Sequence, residues 1–404
     1  MHIIISIIGI AVFLGLAYLF SSDRKKIRWQ YVGLLLLIQL VFAFILLKTK
    51  AGIKVVGWIS DGFNYLLDKA HVGVDFVFGG FQFKAPDQVP FFIDVLLPIV
   101  FISALIGILQ YTRILPLIIN GLGWLISKVN GMGRLESYNA VAAAVLGQSE
   151  VFISLKKELK YISKQRLYTL TASAMSTVSA SIIGAYFSLV EPRYVVTAVV
   201  LNLFGGFIIA SIINPYKVDE EDDKLILEES EIKKQSFFEM LGEYILDGFK
   251  VAIIVGAMLI GYIAIIALLN GLVSGIITFA SGGSVTWNFQ TLIGFVFAPF
   301  AFLIGIPWED AVQAGSVMAT KLLSNEFVAM ESLTKVKDIG EHAKGVVSVF
   351  LVSFANFSSI GIISGAIKSL NDEKGDMVAR FGLKLLFGAT LVSFISAAIA
   401  GFFI

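Results

Sequence analysis

Eight apolar runs, at 3–20, 31–47, 91–112, 167–190, 194–213, 251–269, 345–367 and 381–404, recur along a chain of 404 residues. A helix rises about 1.5 Å per residue, so about 20 apolar residues cross a bilayer core with every backbone polar group bonded internally. The recurring length predicts an all-α integral membrane protein with eight transmembrane helices. Composition agrees: 57% of residues are hydrophobic and 15% charged, against roughly 25% charged in soluble domains. Arg24, Lys25, Lys26 and Arg28 follow the first run and no basic residue precedes it. That is the polarity of a span whose C-terminal end faces the cytoplasm, not of a cleaved leader. The absence of cysteine removes disulfides, thiolate metal sites and thiol nucleophiles, and a formal net charge of +1 gives no support for nucleic-acid binding.

Against this background two polar clusters stand out, Gly147-Gln148-Ser149-Glu150 and Ser324-Asn325-Glu326. An acid at membrane depth costs about 2.5–3.5 kcal/mol even on the lenient insertion scale, so it faces a cavity, a partner or a substrate. Amide, hydroxyl and carboxylate on consecutive residues offer donors and acceptors together, which suits a planar neutral edge such as a nucleobase. The alternatives for Glu150 are an ion pair with Lys156 or the capping of a broken helix. For Glu326 the rival is a pair with Lys321, although five residues is a poor helical pairing distance. A carboxylate accepting from two neighbouring hydroxyls would hold a ribose, and it could also take up a proton. Asn356, Ser358 and Ser359 lie in a run without charge, where packing competes with function; Phe354 stacks on a base or faces lipid. His2, His71 and His342 are far apart, Gly131-Met132-Gly133 lacks a third glycine, and no Walker-type phosphate loop is present. The sequence therefore predicts no cofactor, no ATP-driven pumping and no enzyme.

The two clusters sit in matching contexts. Glu136 opens a run to Gln148-Ser149-Glu150, followed by a basic stretch and a span containing Ser176-Thr177-Val178-Ser179. Pro307-Trp308-Glu309-Asp310 opens a run to Ser324-Asn325-Glu326, followed by a polar stretch and a span containing Phe354-Ala355-Asn356-Phe357-Ser358-Ser359. Each half closes with one more span. A single intervening span, 251–269, makes the repeat inverted, an arrangement of secondary transporters. The acid-bearing segments, 121–155 and 295–330, predict re-entrant hairpins, with break points at Gly131, Gly133, Gly147, Gly305, Pro307 and Gly315. The domain reading is N-terminal helices with an interfacial segment over 1–90, a first repeat over 91–217 and an acidic cytoplasmic linker over 218–250. A scaffold span with an interfacial segment follows over 251–290, then a second repeat over 291–404. Within the first of these, 48–90 reads as an interfacial or extracytoplasmic loop with amphipathic parts.

Gly147-Gln148-Ser149-Glu150, Ser324-Asn325-Glu326-Phe327-Val328-Ala329 and Phe354-Ala355-Asn356-Phe357-Ser358-Ser359-Ile360-Gly361 resemble the signature segments of the concentrative nucleoside transporters, closest to the bacterial NupC-type branch. The resemblance covers nearly the whole chain. It implies a homotrimer in a bacterial inner membrane, each protomer with eight spans and two re-entrant hairpins, importing nucleosides such as uridine by an elevator-like movement. It also implies that Gln148, Ser149 and Glu150, with Ile182 nearby, contact the base. Glu326, Asn356 and Ser359 contact the ribose, and Phe354 borders the pocket.

One position departs from the sodium-coupled members, which carry an asparagine where this chain has Ala143. A hard cation requires oxygen ligands, and although Thr177 and backbone carbonyls remain, the departure points to proton coupling through Glu150 or Glu326. Sodium coupling, a carrier of free nucleobases, a membrane hydrolase using the two acids, and a passive channel are the competing readings.

Overall fold

A computed structural model describes residues 2–81, 89–218, 235–285 and 287–404, apart from the side chain of Lys157. Of the expected acidic linker over 218–250, residues 219–234 lie outside the described residues, and 237–250 are not linker but the start of a long helix. All regular structure among the described residues is helical.

The chain opens with α1 (His2–Leu19), α2 (Trp29–Lys48) and α3 (Lys50–Phe78). α3 corrects the expected loop over 48–90: it is one continuous amphipathic helix. Thr49 caps it by accepting from the Gly52 amide at 3.0 Å, no proline interrupts it, and Gly52, Val56, Ala70 and Val74 form its buried stripe. A π-helical turn, Phe92–Leu96, leads into α4 (Ile99–Tyr111).

The first half continues with α5 (Ile114–Ser127), α6 (Arg134–Leu146), a 3₁₀ turn over Glu150–Leu155 and α7 (Lys156–Leu159). It closes with α8 (Lys164–Met175), α9 (Ala180–Phe187) and α10 (Pro192–Ile213). The long α11 (Phe237–Ala280) separates it from a second series. That series is α12 (Phe289–Leu303), α13 (Trp308–Leu323), α14 (Glu326–Lys335), α15 (Glu341–Leu351), α16 (Phe357–Leu370), α17 (Asp372–Arg380) and α18 (Gly382–Gly401). α11 begins well before the predicted 251 because Ser236 and Glu239 form a reciprocal capping box, and it runs past 269 through apolar sequence without a proline.

Two predicted spans are broken. The run 167–190 is α8 and α9, interrupted at 176–179, and 345–367 is α15 and α16, interrupted at 352–356. Each acid-bearing segment holds three helices rather than two. Gly131 and Gly147 sit at breaks with φ of 65° and 113°, and Gly305 with 93°. Gly315 breaks nothing: inside α13 it lets α12 approach, since a Cβ there would lie 2.8 Å from the Gly294 carbonyl oxygen. α12 and α13 are bent by 116°. By length and apolarity seven described helices can cross a membrane, or eight if that bent pair is one span.

The two series share part of their order and packing, although α17 has no counterpart between α9 and α10. α6 packs on α8 as α13 packs on α15, while α10 and α18, the most buried long helices, pack on each other at the centre. A buried cluster fixes one end of the first series: Arg166 donates to both Glu136 oxygens at 2.6 and 2.9 Å, and the Tyr216 hydroxyl to Glu136 Oε1 at 2.9 Å. Burial, and then the Glu136 carboxylate, hold the Tyr216 phenol well above its ordinary pKa, so it remains a donor. This ties the starts of α6 and α8 to the end of α10.

Candidate functional site

Both acids occupy the first residue of the helical segment after a break, Glu150 in the 3₁₀ turn and Glu326 in α14. The two interrupted spans restart in the same way, at Ala180 and at Phe357. Free N–H groups at such starts favour acceptors and negative charge. In the second series asparagines cap them: Asn325 Oδ1 accepts from the Val328 amide at 3.0 Å, and Asn356 Oδ1 from the Ser359 amide at 2.9 Å and the Ser358 hydroxyl at 2.6 Å.

Glu326 joins these segments. Its Oε2 accepts from Asn356 Nδ2 at 3.1 Å and its Oε1 from the Tyr186 hydroxyl of α9 at 3.0 Å. The two spans also cross at their breaks, where the Phe354 amide donates to the Thr177 carbonyl at 3.0 Å. Asn202 of α10 donates to the Val352 carbonyl at 2.6 Å, satisfying a group that no helix ladder reaches. Among the described residues no ion pair joins Lys321 to Glu326.

The Glu150 cluster reaches this centre through backbone contact. Gly147 has φ 113° and ψ 173°, a region essentially reserved for glycine. A Cβ there would lie 2.7 Å from Glu150 Oε2 and 3.3 Å from the Ser179 Cβ, so the tip folds onto the break of the first interrupted span. Ser149 Oγ donates to Glu150 Oε2 at 3.0 Å, and the Ser179 and Ser181 hydroxyls are 2.9 Å apart. Lys156 is exposed and Glu150 is bonded by its neighbour Ser149.

Of the candidate residues, Gln148, Ile182, Glu326, Phe354, Asn356 and Ser359 are buried, Ser149 is half-buried and Glu150 is exposed. Gln148 Oε1, Thr177 Oγ1 and Ser359 Oγ are buried without a partner. Leaving such an atom unbonded costs about 1–3 kcal/mol, so these are atoms that a polar ligand or ion would satisfy. Ala143 is fully buried on α6 and offers no side-chain oxygen. A cavity of about 600 Å³ between α11, α12, α13 and α14 includes Asn270, Gln313, Glu331 and Lys335 but none of the candidate residues.

Sequence reasoning passed over Tyr186 and Asn202. Tyr186 lies four residues after Ile182 and therefore on the same helix face, a signal that could have found it. Asn202 lies in the middle of an apolar span with no such neighbour, and only the fold reveals which carbonyl it serves.

Comparison with known proteins bears on these features. The chain matches the N-terminus of the Na+ dependent nucleoside transporter family over residues 8–81, a nucleoside recognition ("Gate") family over 92–193, and the C-terminus of the Na+ dependent nucleoside transporter family over 194–401. It is 37% identical to the purine nucleoside transport protein NupG of Bacillus subtilis over the whole of both chains. It is 30% identical to the nucleoside permease NupC of Helicobacter pylori, over 99% of this chain and 97% of that one. Among solved structures it resembles CNTnw in an inward-facing substrate-bound state with a TM-score of 0.91 and 28% identity, covering 100% of this chain and 98% of that one. A substituted CNTnw in an outward-facing state is as similar, with a TM-score of 0.92. Family matches along the chain and full-length relatives together place it: the chain belongs to the concentrative nucleoside transporters.

Proposed function

We propose that the protein imports nucleosides across a bacterial inner membrane by proton symport. The observation that carries the binding half of this reading is the buried Glu326 carboxylate, held by Tyr186 and Asn356 where two interrupted spans cross. A carboxylate fixed this way presents its remaining lone pairs to vicinal hydroxyls, and the unpartnered Ser359 hydroxyl lies on the helix that Asn356 caps. Glu326, Asn356 and Ser359 take the ribose; Gln148, Ser149 and Glu150, with Ile182, take the base, and Phe354 borders the pocket. Residues 91–217 and 291–404 act as two inverted repeats of a homotrimeric carrier with eight spans and two re-entrant hairpins, moving substrate in an elevator-like step. The remaining pieces are the membrane helices and interfacial segment of 1–90, an acidic cytoplasmic linker that ends before α11, and the scaffold that α11 begins at Phe237.

Proton coupling rests on Ala143, whose side chain supplies no oxygen for sodium, and on the two acids assigned to the base and the ribose. Sodium coupling is the second reading, favoured by the sodium-dependent description of the matched families and by the unpartnered Thr177 hydroxyl. Uptake of radiolabelled uridine and adenosine into vesicles decides between them. Accumulation under an inward proton gradient without sodium is expected; uptake that needs sodium and ignores pH overturns proton coupling. Including a purine is warranted by the name of the NupG relative. Free bases should compete poorly, because Glu326 and Asn356 require the sugar.

A further inference from the structure

Lys321 is fully buried in the last turn of α13, yet its hydrogen bonds go to neither acid. Its ammonium donates to the Phe350 carbonyl at 2.6 Å, the Ser353 hydroxyl at 2.6 Å and the Ser393 hydroxyl of α18 at 3.2 Å. It also lies 4.5 Å from the centroid of the Phe350 ring. Three donors meet three oxygens, and the carbonyl belongs to the C-terminal turn of α15, where orphan carbonyls favour a cation.

The position of this contact gives it a consequence. Two irregular segments run side by side: one passes from Lys321 through the 324–325 break to Glu326, the other from Phe350 through the 352–356 break to Asn356. The Lys321 ammonium joins them at one end, and the Glu326–Asn356 bond joins them at the other. Charge-assisted bonds of this length are stronger than neutral ones, so the first contact sets where Asn356 stands relative to Glu326.

We propose that Lys321 is a positioning residue for the ribose end of the site, a buried amine that clamps the break of the second interrupted span to the tip carrying Glu326. The proposal rests on the nucleoside reading above, and binding to the purified wild-type protein in detergent separates the two. Failure of wild type to bind both uridine and adenosine would overturn the nucleoside reading itself, and the nucleoside that binds is the one carried into the variants.

With wild-type binding established, Lys321→Ala should weaken uridine about tenfold or more, the value of one lost charged hydrogen bond, while 2′,3′-dideoxyuridine, lacking the hydroxyls, should change little. Propylammonium replaces the atoms that Lys321→Ala removes and should restore the preference for uridine, whereas choline at the same ionic strength should not. Equal loss for both nucleosides, no loss, or loss that propylammonium leaves unchanged would overturn the clamp. If Lys321→Ala does not fold, the Ser353→Ala, Ser393→Ala double variant keeps the lysine and removes two of its acceptors. The preference for uridine over the dideoxy compound should then fall, and an unchanged preference would overturn the proposal.

Discussion

Glu150 and Glu326 begin equivalent segments in two matching series of helices, but their surroundings differ. Glu150 is exposed and its hydrogen-bond partner is the adjacent Ser149. Glu326 is 5% exposed and is held by side chains from two other helices, one in each half of the chain. The starts that flank them differ likewise: asparagine side chains cap α14 and α16, whereas Ser149 and Ser179 bond to neighbouring side chains and leave the amides of their own helix starts uncapped. The same topology thus builds one pre-organised half-site and one that is still open. A rigid carboxylate suits a group common to all substrates, such as ribose, and an adaptable amide–hydroxyl–carboxylate edge suits bases that vary.

Replacing the two acids tests this asymmetry most directly, and the largest effect belongs to Glu326→Gln. A glutamine that keeps accepting from Asn356 Nδ2 turns its NH₂ toward the Tyr186 hydroxyl, so the acceptor on that side is lost. With the charge gone as well, uridine uptake should fall about a hundredfold or more, as expected for losing about 3 kcal/mol of charged hydrogen bonding; near-normal uptake would refute the pre-organised half-site. Tyr186→Phe removes one of the two donors and should reduce uptake about tenfold, mostly through KM for ribonucleosides.

Glu150→Gln should be milder, a change of about two- to fivefold that differs between purines and pyrimidines, because Glu150 is bonded by its neighbour Ser149 and not held by side chains from two other helices. A loss equal to that of Glu326→Gln would erase the contrast. Gly147→Ala acts on stability: at φ 113° a side chain is strained, at a cost of about 1–3 kcal/mol, readable as a lowered melting temperature of the purified protein. Smallest of all, Ser149→Ala should lower uptake about twofold, because water can replace both its bond to Glu150 and its neutral contact to the base; a loss as large as that of Glu326→Gln would erase the ranking.

Much of this was legible before any fold was available. Long apolar runs can satisfy their backbone in lipid only as helices, so α1, α2, α10 and α18 lie close to where the runs predict them. The breaks inside 167–190 and 345–367 escaped notice because neither contains a proline, and apolar composition continues across them. Their signal was a cluster of serine, threonine and asparagine, residues that cap helices as readily as they pack between them. Gly315 misled in the opposite sense, since its small size serves the approach of α12 and not a break.

Sequence alone determined that this is a helical membrane chain with two matched series, each carrying an expensive acid, because length, hydropathy and spacing are local quantities. Only the tertiary structure decided which acid is buried and who holds it. Tyr186 is 140 residues from Glu326, and Lys321 meets Ser393 across 72. Such partners are chosen by how helices cross, and the crossing follows from the shapes of many side chains packed together rather than from any one segment.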